Sequence, residues 1–236
     1  MTNSIKSIST KTYAKFAGLL YLLIAISGGF SIGYVPTVIM AAGDAAATAQ
    51  NIVDNSGLLK LGIIADIFVF LIEIVLTVML YRLLKPVNKT LAMVATFSRL
   101  AMSIIMGLNL LNYIIPLQLL NGADYLNVFE QAQLQALALL FLETHQYVVY
   151  IWGIFFGLHL VTLGYLIYKS GYFPWLMGLM MMIGSLGYFG ESLVNITFGN
   201  KEAFSIAITI FLVISVVGEL SFTFWLLIKG IKHEPE

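Results

Sequence analysis

The segment Leu58–Leu84, LLKLGIIADIFVFLIEIVLTVMLYRLL, most constrains what this chain can fold into. A basic turn, Lys85-Pro86-Val87-Asn88-Lys89, joins it to a second apolar run, 90–120. About 20 apolar residues in helical form cross the roughly 30 Å hydrocarbon core of a bilayer. Inside that core only helices and closed barrels satisfy their own backbone groups. Continuous apolar runs of this length, without strand-like alternation, specify helices.

Two opposite charges interrupt these runs. Glu73 lies twelve positions before Lys85, and Arg99 lies ten positions after Lys89. At ~1.5 Å per residue both sit roughly 15–18 Å from the same turn, near the middle of the bilayer. A carboxylate and a guanidinium at one depth, on consecutive antiparallel helices, form a structural pair or part of a site.

Composition extends the membrane reading to the whole chain. Of 236 residues, 60% are hydrophobic and 10% charged, and the mean hydropathy is +0.94. Soluble domains carry about 25% charged residues. The net charge of zero gives no electrostatic footprint for a nucleic-acid partner. With no cysteine, disulfides, Cys-ligated zinc, iron–sulfur clusters and a Cys nucleophile are excluded.

The expected architecture is all-α: a single integral membrane domain, 1–236, forming a polytopic bundle of six transmembrane helices. These fall at about 14–40, 58–84, 90–115, 143–168, 174–197 and 204–229. Residues 41–57 read as an outer loop with a short interfacial helical turn. Residues 125–142 are surplus length, either an outer amphipathic helix or an extension of the fourth helix beyond the bilayer. Pro116 ends or kinks the third helix. Gly29-Phe30-Ser31-Ile32-Gly33 matches the small-xxx-small pattern of close helix contacts, and Gly184, Gly187 and Gly190 permit close approach on the fifth helix.

Cation placement gives an orientation. Lys6, Lys11, Lys15, Arg82, Lys85, Lys89, Lys169, Lys229 and Lys232 fall on the face holding the termini, against Lys60 and Lys201 on the other. The positive-inside rule then puts both termini in the cytoplasm.

The charge pattern repeats. His159 lies ten positions before Lys169, and Glu219 ten before Lys229. Glu73, Arg99, His159 and Glu219 therefore share one level, a candidate proton or ligand site at the midplane. Each costs ~2.5–3.5 kcal/mol at a helix centre on insertion scales, so four together ask for a reason. A second, outer polar cluster is expected from Asp66, Asn109, Glu143, His145 and Glu191, with Asn112 beside them.

The chemistry open to these residues is narrow. His145 and His159 lie about 21 Å apart along one helix, too far to share a metal ion. Glu73, His159 and Glu219 could compose a ligand set, but Arg99 at the same level repels a cation. No HExxH, Walker or dinucleotide-binding glycine pattern occurs. No catalytic residue, metal site or cofactor is assigned. The expectation is a non-enzymatic, transporter-like or ligand-binding membrane protein whose partners are the lipid bilayer and a small molecule or proton. The alternatives are an intramembrane enzyme using His159 or His145 with Glu73, Glu191 or Glu219, and a structural or regulatory subunit.

Several phrases are shared with a known family. They are Gly43-Asp44-Ala45, YRLLKPVNKTLA (81–92), Arg99-Leu100, LALLFLETH (137–145), and FFGLHLVTLGYLIYKSGYFP (155–174) running into Trp175-Leu176-Met177-Gly178. Over roughly 14–228 the chain resembles the DUF4386 family of bacterial membrane proteins, a domain of unknown function. The resemblance implies a multi-pass protein of the bacterial cytoplasmic membrane. It brings no substrate, cofactor or catalytic residue. Glu143 and His145 in FLETH follow the family's pattern, which adds interest to both.

Overall fold

A computed structural model of the chain describes residues 10–198 and 202–231. Its regular elements there are all helical. Six segments are long and apolar enough to cross a membrane: Lys11–Ile39, Ser56–Leu84, Lys89–Leu119, Gln131–Ser170, Trp175–Phe198 and Ser205–Ile228.

The first span consists of α1 (Thr10–Gly28), a π-helical segment (Gly29–Tyr34) and the short α2 (Val35–Ile39). The wide turn is marked by the Val35 N–H donating to the Phe30 carbonyl, five residues back. Pro36 accounts for it, because a proline inside a helix offers no N–H to the preceding turn and its ring crowds a carbonyl there. Gly29 and Gly33, expected to seat a neighbouring helix, do not: a Cβ at either would meet nothing within 4 Å.

Next come α3 (Ala45–Asp54) and the second span, α4 (Ser56–Leu84). The Asp44 side chain caps α3 by accepting from the Ala47 N–H at 2.9 Å. The third span breaks into α5 (Lys89–Asn109) and α6 (Leu111–Leu119). The break falls at Leu110, and the helix then runs through Pro116 to Leu119. Pro116 crowds the carbonyl one turn before it, at Asn112, and the chain yields just ahead of that turn rather than at the proline.

The fourth span, α7 (Gln131–Ser170), is 40 residues long. At 1.5 Å per residue that is about 60 Å, roughly twice the hydrocarbon thickness. Of the two readings of 125–142, the structure has the extension, continuous with the fourth helix from Gln131. Glu130 and Gln133 close its start as a reciprocal capping box, and Gly171, at φ 68°, ends it in the left-handed conformation. The fifth and sixth spans are α8 (Trp175–Phe198) and α9 (Glu202–Ile228).

Each span packs on its neighbours in sequence, and α9 returns to α1: α1–α4–α5–α7–α8–α9 is a closed ring. Glycine sets the tightest seams. A Cβ on Gly164 of α7 would sit 2.6 Å from the Gly178 carbonyl oxygen of α8. On Gly184 it would sit 2.5 Å from Ser215 Cα of α9, and on Gly187 2.7 Å from the Leu212 nitrogen. The expected close approach along α8 is therefore present. Two hydrophobic clusters form. The larger, including Leu76, Leu83, Leu160, Leu163 and Phe222, fills the half of the ring that holds the chain ends. The smaller, including Val35, Ile52, Leu59, Tyr113 and Leu142, joins α3 and the overhang of α7 at the opposite end. The ionisable side chains lie between the two.

Candidate functional site

The buried ionisable network is assembled from four helices. α4 contributes Glu73, α5 Arg99, α7 His159 and α1 Tyr21. Arg99 is 1% exposed, so every N–H it carries needs a partner within the protein. Its Nε donates to Glu73 Oε2 at 2.5 Å and its Nη2 to Glu73 Oε1 at 3.1 Å, a two-pronged ion pair. Its Nη1 donates to the Tyr21 hydroxyl at 2.8 Å and lies 2.9 Å from His159 Nε2. The Tyr21 ring also lies under the guanidinium, 4.7 Å from Cζ to centroid.

These contacts fix the state of His159. Arginine only donates, so Nε2 accepts; a carbonyl only accepts, so Nδ1 donates to the Ala95 carbonyl oxygen at 2.9 Å. The imidazole is the neutral Nδ1–H tautomer with both nitrogens engaged. Of the residues placed at one level by sequence spacing, Arg99 thus touches both Glu73 and His159 directly. The fourth member, Glu219, stands apart. It is half-buried on α9, and its Oε1 accepts from Ser215 at 3.1 Å.

The network forms part of the wall of a chamber of about 580 Å³ to which all six spans contribute. Asp66, Glu73, Arg99 and Glu219 line it, and His159 lies behind Arg99, away from the chamber. An aromatic wall faces them: Trp152 stacks on Phe156 at 4.8 Å between centroids, and Tyr188 meets Phe156 edge-on at 4.8 Å. The first span contributes Gly28, Gly29 and Gly33.

The outer group separates into three places. Asp66 belongs to the chamber: one carboxylate oxygen accepts from Ser31 of the π-helical segment, and the other, buried, has no hydrogen-bond partner. Asn109 and His145 form a knot between the third and fourth spans. There the Asn109 side chain donates to the His145 carbonyl at 3.1 Å and accepts from Asn112 at 2.8 Å. The His145 ring stacks on Tyr113 at 4.0 Å. Glu143 is exposed and Glu191 half-buried, and neither lines the chamber.

Sequence reasoning missed Tyr21, Ser31 and the aromatic wall. Tyr21 carried a signal, lying ten residues after Lys11 as Arg99 lies ten after Lys89. Pro36 carried one for the widened turn that directs Ser31 at Asp66.

The fold and the chamber define an all-α, multi-pass helical bundle suited to a lipid bilayer, with an internal ion pair beside a largely apolar cavity. The chain belongs to the family described as Domain of unknown function (DUF4386), whose model matches residues 16–230. It is 29% identical over 171 residues to an uncharacterised protein of Archaeoglobus fulgidus, covering 72% of this chain and 84% of that protein. The likeness thus reaches an archaeon, so family membership by itself does not assign the chain to bacteria. No solved structure matches.

Proposed function

We propose that this protein binds, and passes across the membrane or presents within it, a small lipophilic or protonatable ligand held in the chamber beside Glu73 and Arg99. The observation that carries the reading is the chamber itself. A volume of about 580 Å³ lies inside the range of roughly 300–1,000 Å³ typical of small-molecule sites. It combines mostly apolar walls with a few convergent polar groups, as such sites do.

Access from lipid fits the packing. At the inner end α1 and α9 are in tight contact, since a Cβ on Gly18 would lie 2.6 Å from the Leu227 nitrogen. At the chamber, Ala25, Gly29 and Ile32 of the first span and Val216 and Leu220 of α9 are exposed lining residues. The glycines of the π-helical segment keep this side open.

Both termini are assigned to the cytoplasm of a cell-membrane protein. The even number of spans supports placing them on one face, as does the position of Gly230 against Lys11. The excess of cations there supports the cytoplasmic side. Of the two bases in the enzyme alternative, His159 has both nitrogens engaged, while the buried Nε2 of His145 has no hydrogen-bond partner among the described residues.

The test is a thermal-denaturation screen of the purified full chain in neutral detergent. It uses small amphipathic compounds that are cationic, anionic and neutral. A ligand at 100 times its Kd stabilises by about 2.7 kcal/mol. The expected result is a class that raises Tm in the wild type and fails to do so in the chamber-filling Gly29→Leu/Gly33→Leu variant. If every stabilising compound acts equally on that variant, the chamber is not the binding site.

A further inference from the structure

We propose that the chamber takes a lipophilic cation, an amine or onium carried on an aromatic or branched aliphatic body, with its charge against Asp66 and Glu219. This rests on the reading of the chamber as a ligand site and names the chemistry of the occupant.

Charge balance is the first argument. Glu73 and Arg99 make the one ion pair among the described residues, and they cancel each other. Neither Asp66 nor Glu219 forms an ion pair among the described residues, although the Arg99 charge reaches Glu219; each is met by a single serine hydroxyl. They belong to different helices, α4 and α9, and both line the same space. With Arg99 committed to Glu73, two further carboxylates facing a mostly apolar chamber without ion-pair partners make a site that a positive charge stabilises.

The second argument comes from what the arginine cannot do. Guanidinium carries five N–H donors. Four are committed: two to Glu73, one to Tyr21 and one to His159. An anionic ligand would find one N–H left on Arg99, and it would add a further negative charge beside Asp66, Glu73 and Glu219. Arg99 spends most of its donors holding the wall together and offers an anion little.

The third argument is the partnerless oxygen of Asp66. Asp66 is 1% exposed, and its Oδ2 has no hydrogen-bond donor among the described residues. A buried acceptor left in this way costs about 1–3 kcal/mol unless something in the chamber supplies the donor or the charge.

The walls select what carries that charge. Trp152, Phe156 and Tyr188 form one packed aromatic cluster on the α7–α8 side. Ring faces attract ammonium and similar cations, and more strongly where water is excluded. A hard metal cation is a poor fit, since it takes roughly six to eight oxygen ligands, which this mostly apolar lining does not offer.

The experiment uses two ions of nearly the same shape and opposite charge, tetraphenylphosphonium and tetraphenylborate, in equilibrium binding to the detergent-purified full chain. The phosphonium is expected to bind saturably and at least tenfold more tightly than the borate. Asp66→Asn and Glu219→Gln should each weaken the phosphonium by about tenfold, the loss expected for one charged contact. Both variants keep their side-chain shape, and their unligated Tm checks that they fold. Gly33→Leu, at a position where an added Cβ meets nothing within 4 Å, should reduce binding of either ion by occupying the space. Borate binding equal to or tighter than phosphonium, and lost in Gly33→Leu, overturns the cation proposal while leaving the chamber as a ligand site. Saturable binding of neither ion also overturns it. The thermal screen with neutral compounds then decides separately whether the chamber binds anything. Phosphonium binding unchanged in both carboxylate variants overturns the assignment to Asp66 and Glu219.

Discussion

Exchanging the two ends of the buried ion pair is the sharpest test of the network, and the structure predicts incomplete rescue. Either single change, Glu73→Arg or Arg99→Glu, puts like charges side by side in a site where Glu73 is 5% and Arg99 1% exposed. Breaking a buried pair costs about 3–5 kcal/mol. The double exchange restores opposite charges at the same separation. Tyr21 adapts to it, because a hydroxyl that accepts from Arg99 can rotate and donate to a carboxylate at position 99. His159 does not adapt while it stays neutral. Its Nδ1–H is committed to the Ala95 carbonyl, so its Nε2 lone pair would face a carboxylate. That mismatch leaves about 1–3 kcal/mol of the loss in place. Adding His159→Gln, whose amide can donate toward position 99, should recover part of the remainder. Stability is read from equilibrium unfolding of the purified variants in mixed micelles. Full recovery by the exchange alone would refute the tautomer argument. An exchange no better than the single changes would refute the pair as the interaction that matters.

Three further outcomes follow from packing, hydrogen bonding and topology. Gly184→Ala should destabilise by about 1–3 kcal/mol, the usual cost of overpacking, because its Cβ would press on the Ser215 backbone, whereas Gly33→Ala should be near neutral; thermal unfolding in detergent compares them. His159→Ala should lower stability by about 1–3 kcal/mol, since it removes an acceptor from the buried Arg99 guanidinium, and a Tm equal to the wild type would contradict the network. The chain has no native cysteine, so single cysteines at Asn127 and Asn88 report topology cleanly. A membrane-impermeant thiol reagent added to intact cells should label position 127 and spare position 88, and the reverse pattern would invert the orientation.

Much of the fold was legible because lipid leaves few choices. Length and hydropathy alone place six helices, and the runs closed by Arg82, Lys169 and Lys229 appear as α4, α7 and α9. Depth was legible for the same reason: a helix climbs a fixed distance per residue, so counting from a basic end puts Glu73, Arg99 and His159 at one level. Counting does not give the direction in which a side chain points. Glu219 has the same spacing but lines the chamber without pairing to Arg99, and His159 sits behind Arg99. Both facts depend on helix rotation, which long apolar helices encode only weakly because lipid-facing and protein-facing residues are equally apolar. The glycines show the same limit. Gly184 and Gly187 meet a neighbouring backbone, while Gly29 and Gly33 face a cavity, and the two groups look alike in sequence.

The division of the ionisable residues has a physical consequence that stability alone does not explain. Placing a charge at the centre of a membrane helix costs ~2.5–3.5 kcal/mol on insertion scales, and partners offset that cost. Glu73 and Arg99 recover it from each other, with Tyr21 and His159 completing the hydrogen bonds. That part of the layer would hold the ring in register with nothing bound. Asp66 and Glu219 recover little, since one serine hydroxyl each does not balance a carboxylate in an apolar setting. Had the layer been selected only to join helices, leucine at both positions would pack better and cost less. Two weakly compensated acids, an aromatic wall opposite them and a glycine-lined side toward lipid are the arrangement expected when the compensating charge arrives with an occupant.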